Sequence, residues 1–241
     1  MNKEGEALTQ NRLGFEKLNI ALGILYKEWY ELILNQLSKS DGMNLELGCG
    51  ASFIDKIIKS VKKSDVFFNT NTDLKINAME VGLRFENKIS NLILVNVFHH
   101  ISNPELFLRS AEKSLSKGGR IIMVEPSNNI WSRFVYKLVG HEKFDTEQIT
   151  WKFESNDPLL DSNQALSWII FKRDYKKFKK LFPKFFILKK KSMMPISYLL
   201  SGGHTRNTKV SKIFIKIIRK IERMFFDNQF GIFDLICIEK I

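Results

Sequence analysis

The 241 residues suffice for one α/β domain with a sizeable core and are short for two. Cys49 and Cys237 are the only cysteines, which excludes a disulfide framework and any zinc spacing. No apolar run is long enough for a signal peptide or a membrane span, so a cytosolic chain is expected. The net charge is +12, and it is uneven: residues 1–150 carry 19 Lys+Arg against 18 Asp+Glu, residues 151–241 carry 19 against 8. A basic last third points to an acidic partner, whether a phosphorylated sugar, an anionic membrane surface or nucleic acid.

Residues 6–39 repeat apolar side chains at helical spacing (Leu22, Leu25, Trp29, Ile33), predicting a leading helix that ends at Asp41-Gly42. Met43–Leu47 reads as a short strand, followed by a glycine turn through Gly48, Cys49, Gly50 and Ser52. Glycines there let the backbone bend sharply and approach a ligand, with the amides of a following helix facing it. Phe53, Ile54, Ile57, Ile58 and Val61 predict that helix. Cys49 also fits as a small filler of a tight turn.

Strands are predicted at about Lys62–Phe67, at Leu74–Asn77 and at Asn91–Phe98, the last almost continuously apolar as in a strand buried on both faces. Next come Asn96-Val97-Phe98-His99-His100-Ile101, a helix over Glu105–Leu115, a break at Lys117-Gly118-Gly119 and a strand over Arg120–Glu125. Trp168–Leu181 reads as a helix stopped by Pro183. Phe185–Lys191 and Phe230–Glu239 complete seven strands. Lys209–Phe226 has an apolar stripe (Val210, Ile213, Phe214, Ile217, Ile218, Ile221, Met224, Phe225) among lysines and arginines. The fold needs a helix there, which favours packing the stripe on the sheet; a basic amphipathic helix on a membrane remains open.

Glu46-x-Gly48-x-Gly50 lacks the third glycine of the dinucleotide fingerprint, Phe53 standing in its place. With Asn96–Ile101, Leu115–Arg120 and Glu125-Pro126 in order, residues 40–126 resemble the class I S-adenosylmethionine-dependent methyltransferases that act on small molecules. Met194–Gly203, with segments near Ser132 and His141, resembles a subgroup associated with bacterial surface polysaccharides. The resemblance implies a Rossmann-like seven-stranded, mostly parallel sheet with helices on both faces and an antiparallel last strand. It implies one domain: a helical cap at 1–40, a cofactor core at 41–126, and substrate-side insertions at 127–182 and 193–229.

The resemblance also implies roles. Glu46, Gly48, Cys49, Gly50 and Ser52 would form the cofactor turn, with Ser52 replacing a usual glycine. An acid after the second strand would take the ribose hydroxyls; Asp65 is preferred and Asp73 is the alternative. Asn77-Ala78, in place of Asp-Ala, would face adenine, and Asn96 would line the cleft. His99 and His100 fall where a base would meet the acceptor, or else close the adenine side structurally. His141, with Glu142 and Asp145, is a second set. His204, beside Gly202-Gly203, is a third; by position and residue type alone, Arg133, Trp151, Lys152 and Arg206 would recognise a sugar or phosphate. No metal ligand set is evident. O-methylation of a small or lipid-linked, anionic glycan precursor is the leading reading, with the chain cytosolic or peripheral to the membrane's inner face. RNA methylation and a non-catalytic cofactor-binding role are the alternatives.

Overall fold

The computed structural model describes residues 12–139, 142–155, 157, 161–204 and 208–241. Its seven-stranded sheet has the order β3-β2-β1-β4-β5-β7-β6. The strands are β1 Met43–Leu47, β2 Val61–Asp65, β3 Leu74–Lys75, β4 Ile89–Val95, β5 Leu115–Pro126, β6 Phe185–Met193 and β7 Phe233–Lys240. Strands β1 to β5 run parallel, and β7 lies antiparallel to both β5 and β6. From β1 the chain first builds outward to β2 and β3, then returns to place β4 on the other side of β1. That reversal opens a crevice beyond the carboxyl ends of β1 and β4, where α/β sheets bind ligands.

The central strands are apolar because both faces are covered. Leu92 and Leu94 of β4 face a core with Phe98, Phe107, Phe171, Phe178 and Phe182, whereas Ile93 faces the core of Trp29, Tyr30, Ile54 and Phe233. The helix Pro104–Ser114 starts with Asn103, whose Oδ1 accepts from the Leu106 amide at 3.2 Å. Leu166–Leu181 is helical in three pieces, with a π-helical turn at Ile169–Arg173.

Several elements differ from the sequence expectation. The helix after the glycine turn is a single 3₁₀ turn, Ile54–Lys56. Ile54 and Ile58 are buried as a helix would bury them, but β2 already begins at Val61, leaving no chain for further turns. Gly118-Gly119 is not a break before the strand: it arches within β5, whose Leu115 pairs with Ile89 and Arg120 with Asn91. Among the described residues the leading helix is broken, with pieces at Phe15–Leu18 and Ile20–Leu34, and Asn19 caps the latter by accepting from the Leu22 amide at 3.0 Å.

The largest correction concerns Lys212–Phe225. Its apolar stripe does not pack on the sheet: Ile213 is 73% exposed, Met224 64% and Phe225 64%. The inward face is instead Ile215, Arg219 and Glu222. Arg219, 2% exposed, binds Glu28 at 2.6 and 3.0 Å, Asp227 at 3.0 Å through two nitrogens, and Glu222 at 2.5 Å. Burial alone would lower the guanidinium's pKa, but its hydrogen bonds to Glu28 and Asp227 hold it above its ordinary value. Glu222 in turn accepts the Ile196 and Ser197 amides, at 2.6 and 2.7 Å. The helix is therefore held by charge on its inner side and leaves its apolar side to the solvent.

Candidate active site

The glycine turn leaves β1 with Gly48 at φ +65° and Gly50 at φ +46°, conformations that L side chains rarely adopt. Space demands glycine as well: a Cβ on Gly48 would stand 2.7 Å from Val97 Cγ2. Val97 opens the turn after β4, so the two loops bounding the crevice are in direct contact. Asn96, at φ +55°, makes the bend out of β4.

Asp65, at the carboxyl end of β2, lies against this turn. Its Oδ2 accepts from the Gly50 amide at 2.8 Å and its Oδ1 from the Phe67 amide at 3.1 Å. Burial raises its pKa, partly offset by those amides. Asp73 lies farther back on the sheet edge, where Oδ2 accepts from the Lys63 amide at 2.8 Å. Of the two acids, Asp65 adjoins the crevice. Asn77 Oδ1 accepts from the Met79 amide at 3.0 Å and so caps the short 3₁₀ turn that contains Ala78.

Glu46 is 2% exposed, and among the described residues its Oε2 has no hydrogen-bond partner. Burial pushes its pKa up to about 8. An orphaned carboxylate oxygen beside a glycine turn suits a ligand that brings positive charge. Ser52 is buried; its Oγ accepts from the Ile54 amide at 3.1 Å and pairs with the Tyr30 hydroxyl at 3.0 Å. Cys49 Sγ lies 3.7 Å from Thr72 Oγ1, and burial raises its thiol pKa, so it fills space.

Beyond β4, the His99 and His100 backbone forms a 3₁₀ turn around the buried carboxylate of Glu125. Glu125 Oε1 accepts the Val97 and Phe98 amides, both at 2.8 Å, and Oε2 meets His99 Nδ1 at 2.6 Å. On the other side of the ring, His99 Nε2 is 3.2 Å from Glu142 Oε2. Burial alone would depress His99, but the two carboxylates dominate and hold its pKa up at about 10. Burial, and then the charge on His99, pushes His100 down to about 4, so that ring is neutral at pH 7. Its Nδ1 is 3.3 Å from the Asp161 carbonyl, and its Nε2 is 3.9 Å from Glu142 Oε2. Glu142 is held well below the usual carboxylate range, at about 2: burial opposes ionisation, and His99 more than compensates.

Asn163 brings this loop to the histidines. Its amide donates to the His99 carbonyl at 2.9 Å, while its side chain binds both the amide and the carbonyl of Asp145. Asp145 itself caps its own loop, accepting from the Glu147 amide at 2.9 Å and pairing with Lys143.

Other expected site residues fall elsewhere. Trp151 is 3% exposed, and its Nε1 donates to Asp174 at 2.8 Å. Arg133 is exposed and binds Asn128 Oδ1 at 2.6 Å. His204 Nε2 meets the Tyr26 hydroxyl at 2.6 Å, and burial depresses it to about 4, so it ties its loop to the leading helix. His141 and Arg206 lie outside the described residues. Sequence reasoning missed Glu125 as the anchor of the histidine turn. It also missed Tyr26 and Tyr30, whose only sequence signal was an apolar helix face.

No family model matches the sequence, and no curated protein matches it. Solved structures do resemble it. A SAM-dependent methyltransferase from Archaeoglobus fulgidus is 14% identical, with a TM-score of 0.56 over 94% of this chain and 98% of that one. A possible histamine N-methyltransferase from Thermotoga maritima is 14% identical, with a TM-score of 0.55 over 94% and 95%. Geranyl diphosphate C-methyltransferase from Streptomyces coelicolor A3(2), in complex with Mg²⁺, geranyl diphosphate and S-adenosyl-L-homocysteine, is 10% identical, with a TM-score of 0.51 over 89% and 77%. At these identities the likeness is one of architecture, and the chain has the Rossmann-like fold of the S-adenosylmethionine-dependent methyltransferases.

Proposed function

We propose that this chain is an S-adenosylmethionine-dependent methyltransferase that methylates an oxygen of a small or lipid-linked, anionic acceptor in glycan-precursor synthesis. The observation that carries the reading is the crevice itself. A glycine turn, the unpartnered Glu46 oxygen and the Asp65 carboxylate converge at the switch point between β1 and β4. S-adenosylmethionine supplies a methyl group already activated on a sulfonium. In this reading the Gly48–Gly50 backbone lies under its methionine part, and Glu46 meets its positive charge. Asp65 uses its remaining lone pairs for the ribose hydroxyls. Asn77-Ala78 and Asn96 bound the adenine side.

The acceptor needs to be held in line and relieved of a proton. His100, neutral and with Nε2 unprotonated, is suited to take it, while His99, clamped between Glu125 and Glu142, stays charged and holds Glu142 in position. The outward apolar helix Lys212–Phe225, with Lys212, Lys216, Lys220 and Arg223 around its stripe, supports contact with an anionic lipid surface where a lipid-linked acceptor resides. Among the described residues no helix is long and apolar enough to cross a membrane.

The test is transfer of label from methyl-labelled S-adenosylmethionine into membrane extracts. Label in a solvent-extractable, phosphate-bearing lipid supports the reading. Label removed by ribonuclease overturns the acceptor class, and cofactor binding without transfer to any fraction overturns catalysis.

A further inference from the structure

Three ligand-type atoms, His99 Nε2, His100 Nε2 and a Glu142 carboxylate oxygen, lie within 4.8 Å of one another at the mouth of the crevice. Each imidazole has its other nitrogen engaged by an acceptor. His99 Nδ1 is on the buried Glu125 carboxylate at 2.6 Å, and His100 Nδ1 is on the Asp161 carbonyl at 3.3 Å. Metal-ligating histidines are oriented in this way, with the distal N–H held by a carboxylate or carbonyl; His99 would release the proton that its Nε2 shares with Glu142 as the ion binds. The Glu142 carboxylate is aimed too, by Ser162 Oγ at 3.0 Å.

Two further side chains border this carboxylate. His100 Nε2 stands 3.9 Å from Glu142 Oε2, and in the tautomer whose Nδ1 donates to the Asp161 carbonyl it presents a lone pair there. Beside them, Gln164 Oε1 is buried without a partner, while its Nε2 stands 3.5 Å from the same Glu142 oxygen, too long for a good hydrogen bond. The two ends of an amide are interchangeable in such a network. Reversed, Gln164 would turn its oxygen toward the cluster.

The spacing agrees. Zinc binds His nitrogen and carboxylate oxygen at about 2.0–2.2 Å in a tetrahedron, so neighbouring ligand atoms are about 3.3 Å apart. His99 Nε2 and Glu142 Oε2 are already at 3.2 Å. His100 Nε2, 3.9 Å from the same oxygen, would have to move inward to complete the set.

We propose that His99, His100 and Glu142 form a binding site for one divalent transition-metal ion of the zinc or iron(II) type, with Glu125 orienting His99 behind it. Two imidazoles and one carboxylate favour such ions over magnesium or calcium, which prefer all-oxygen sets. Three protein ligands leave a coordination position open, as in catalytic rather than structural sites. Binding of the ion stands independently of methyl transfer. Its role rests on the reading above and replaces the part given there to His100, whose Nε2 the ion would occupy: an acceptor hydroxyl in the open position would be acidified by the ion and release its proton to solvent.

The experiment uses tag-free full-length protein dialysed against a chelator, then titrated calorimetrically with Zn²⁺ and, in parallel, with Co²⁺ followed by visible absorption. One ion per chain is expected, with weakening of more than about 100-fold in His100→Asn and Glu142→Gln and of about 10- to 100-fold in Glu125→Gln. Far-UV circular dichroism and S-adenosyl-L-homocysteine binding are measured on the same samples, to exclude unfolding. No saturable binding, or equal binding by wild type, His100→Asn and Glu142→Gln, overturns the site. Ion binding retained without S-adenosyl-L-homocysteine binding overturns the methyltransferase reading and leaves the site standing.

Discussion

Gly48 and Val97 close the floor of the crevice together: a Cβ on the glycine would sit 2.7 and 2.8 Å from the two methyl carbons of Val97. The turn after β1 and the turn after β4 therefore hold each other's shape. Gly48→Ala is expected to cost about 1–2 kcal/mol for the left-handed backbone and about 1–3 kcal/mol for overpacking. Urea denaturation reads the loss. Val97→Ala combined with Gly48→Ala should recover part of it; a double variant no more stable than Gly48→Ala would refute the contact as its cause.

Glu46 titrates at about 8 in the folded chain because it is buried, against 4.5 ordinarily. Between those values the unfolded chain has shed a proton that the folded chain keeps, so this group lowers stability as pH rises from about 4.5 to 8. Glu46→Gln should flatten that decline, and denaturation midpoints across the range would show it. A decline equally steep in the variant would mean that another group carries it. S-adenosylmethionine, which brings positive charge, should bind more tightly to wild type as pH rises through this window, and Glu46→Gln should lose the dependence.

The central strands were legible because buried β residues leave apolar runs, as at Leu92–Val95, and because Gly48 and Gly50 mark the turn that starts the crevice. Misreadings arose where one pattern serves two structures. Ile54 and Ile58 are four apart whether they sit on a long helix or on one turn and its exit. The stripe from Ile213 to Phe225 has the same period facing inward or outward. Only Glu28 and Asp227, brought by other segments, decide that Arg219 is the buried side. The partnership of His99 with Glu125 and Glu142 was likewise out of reach, because Asn163 assembles it from distant loops.

Arg219 answers three carboxylates, so removing it leaves buried charge uncompensated. Arg219→Met is expected to destabilise by about 3–5 kcal/mol. Arg219→Lys should recover little of this, since an ammonium cannot reproduce the paired contacts to Glu28 and Asp227. Chemical denaturation distinguishes the two, and full rescue by Lys would contradict the geometry.

The outward stripe predicts binding to vesicles rich in phosphatidylglycerol and much weaker binding to neutral phosphatidylcholine. Ile217→Glu with Phe225→Glu should abolish flotation with the vesicles while shifting stability by no more than about 0.5 kcal/mol, because both side chains are exposed. If the wild type ignores anionic vesicles and is instead a dimer that the double variant dissociates, the stripe covers a second copy of the chain and the lipid assignment fails.

The most direct measurement is calorimetric titration of the wild-type chain and of Asp65→Ala with S-adenosyl-L-homocysteine. The account predicts saturable binding of one ligand per chain by the wild type, and at least a tenfold loss in Asp65→Ala, which forfeits the ribose contacts worth about 1.5–3 kcal/mol for hydrogen bonds to a charged group. An absence of heat with the wild type at millimolar ligand would contradict it.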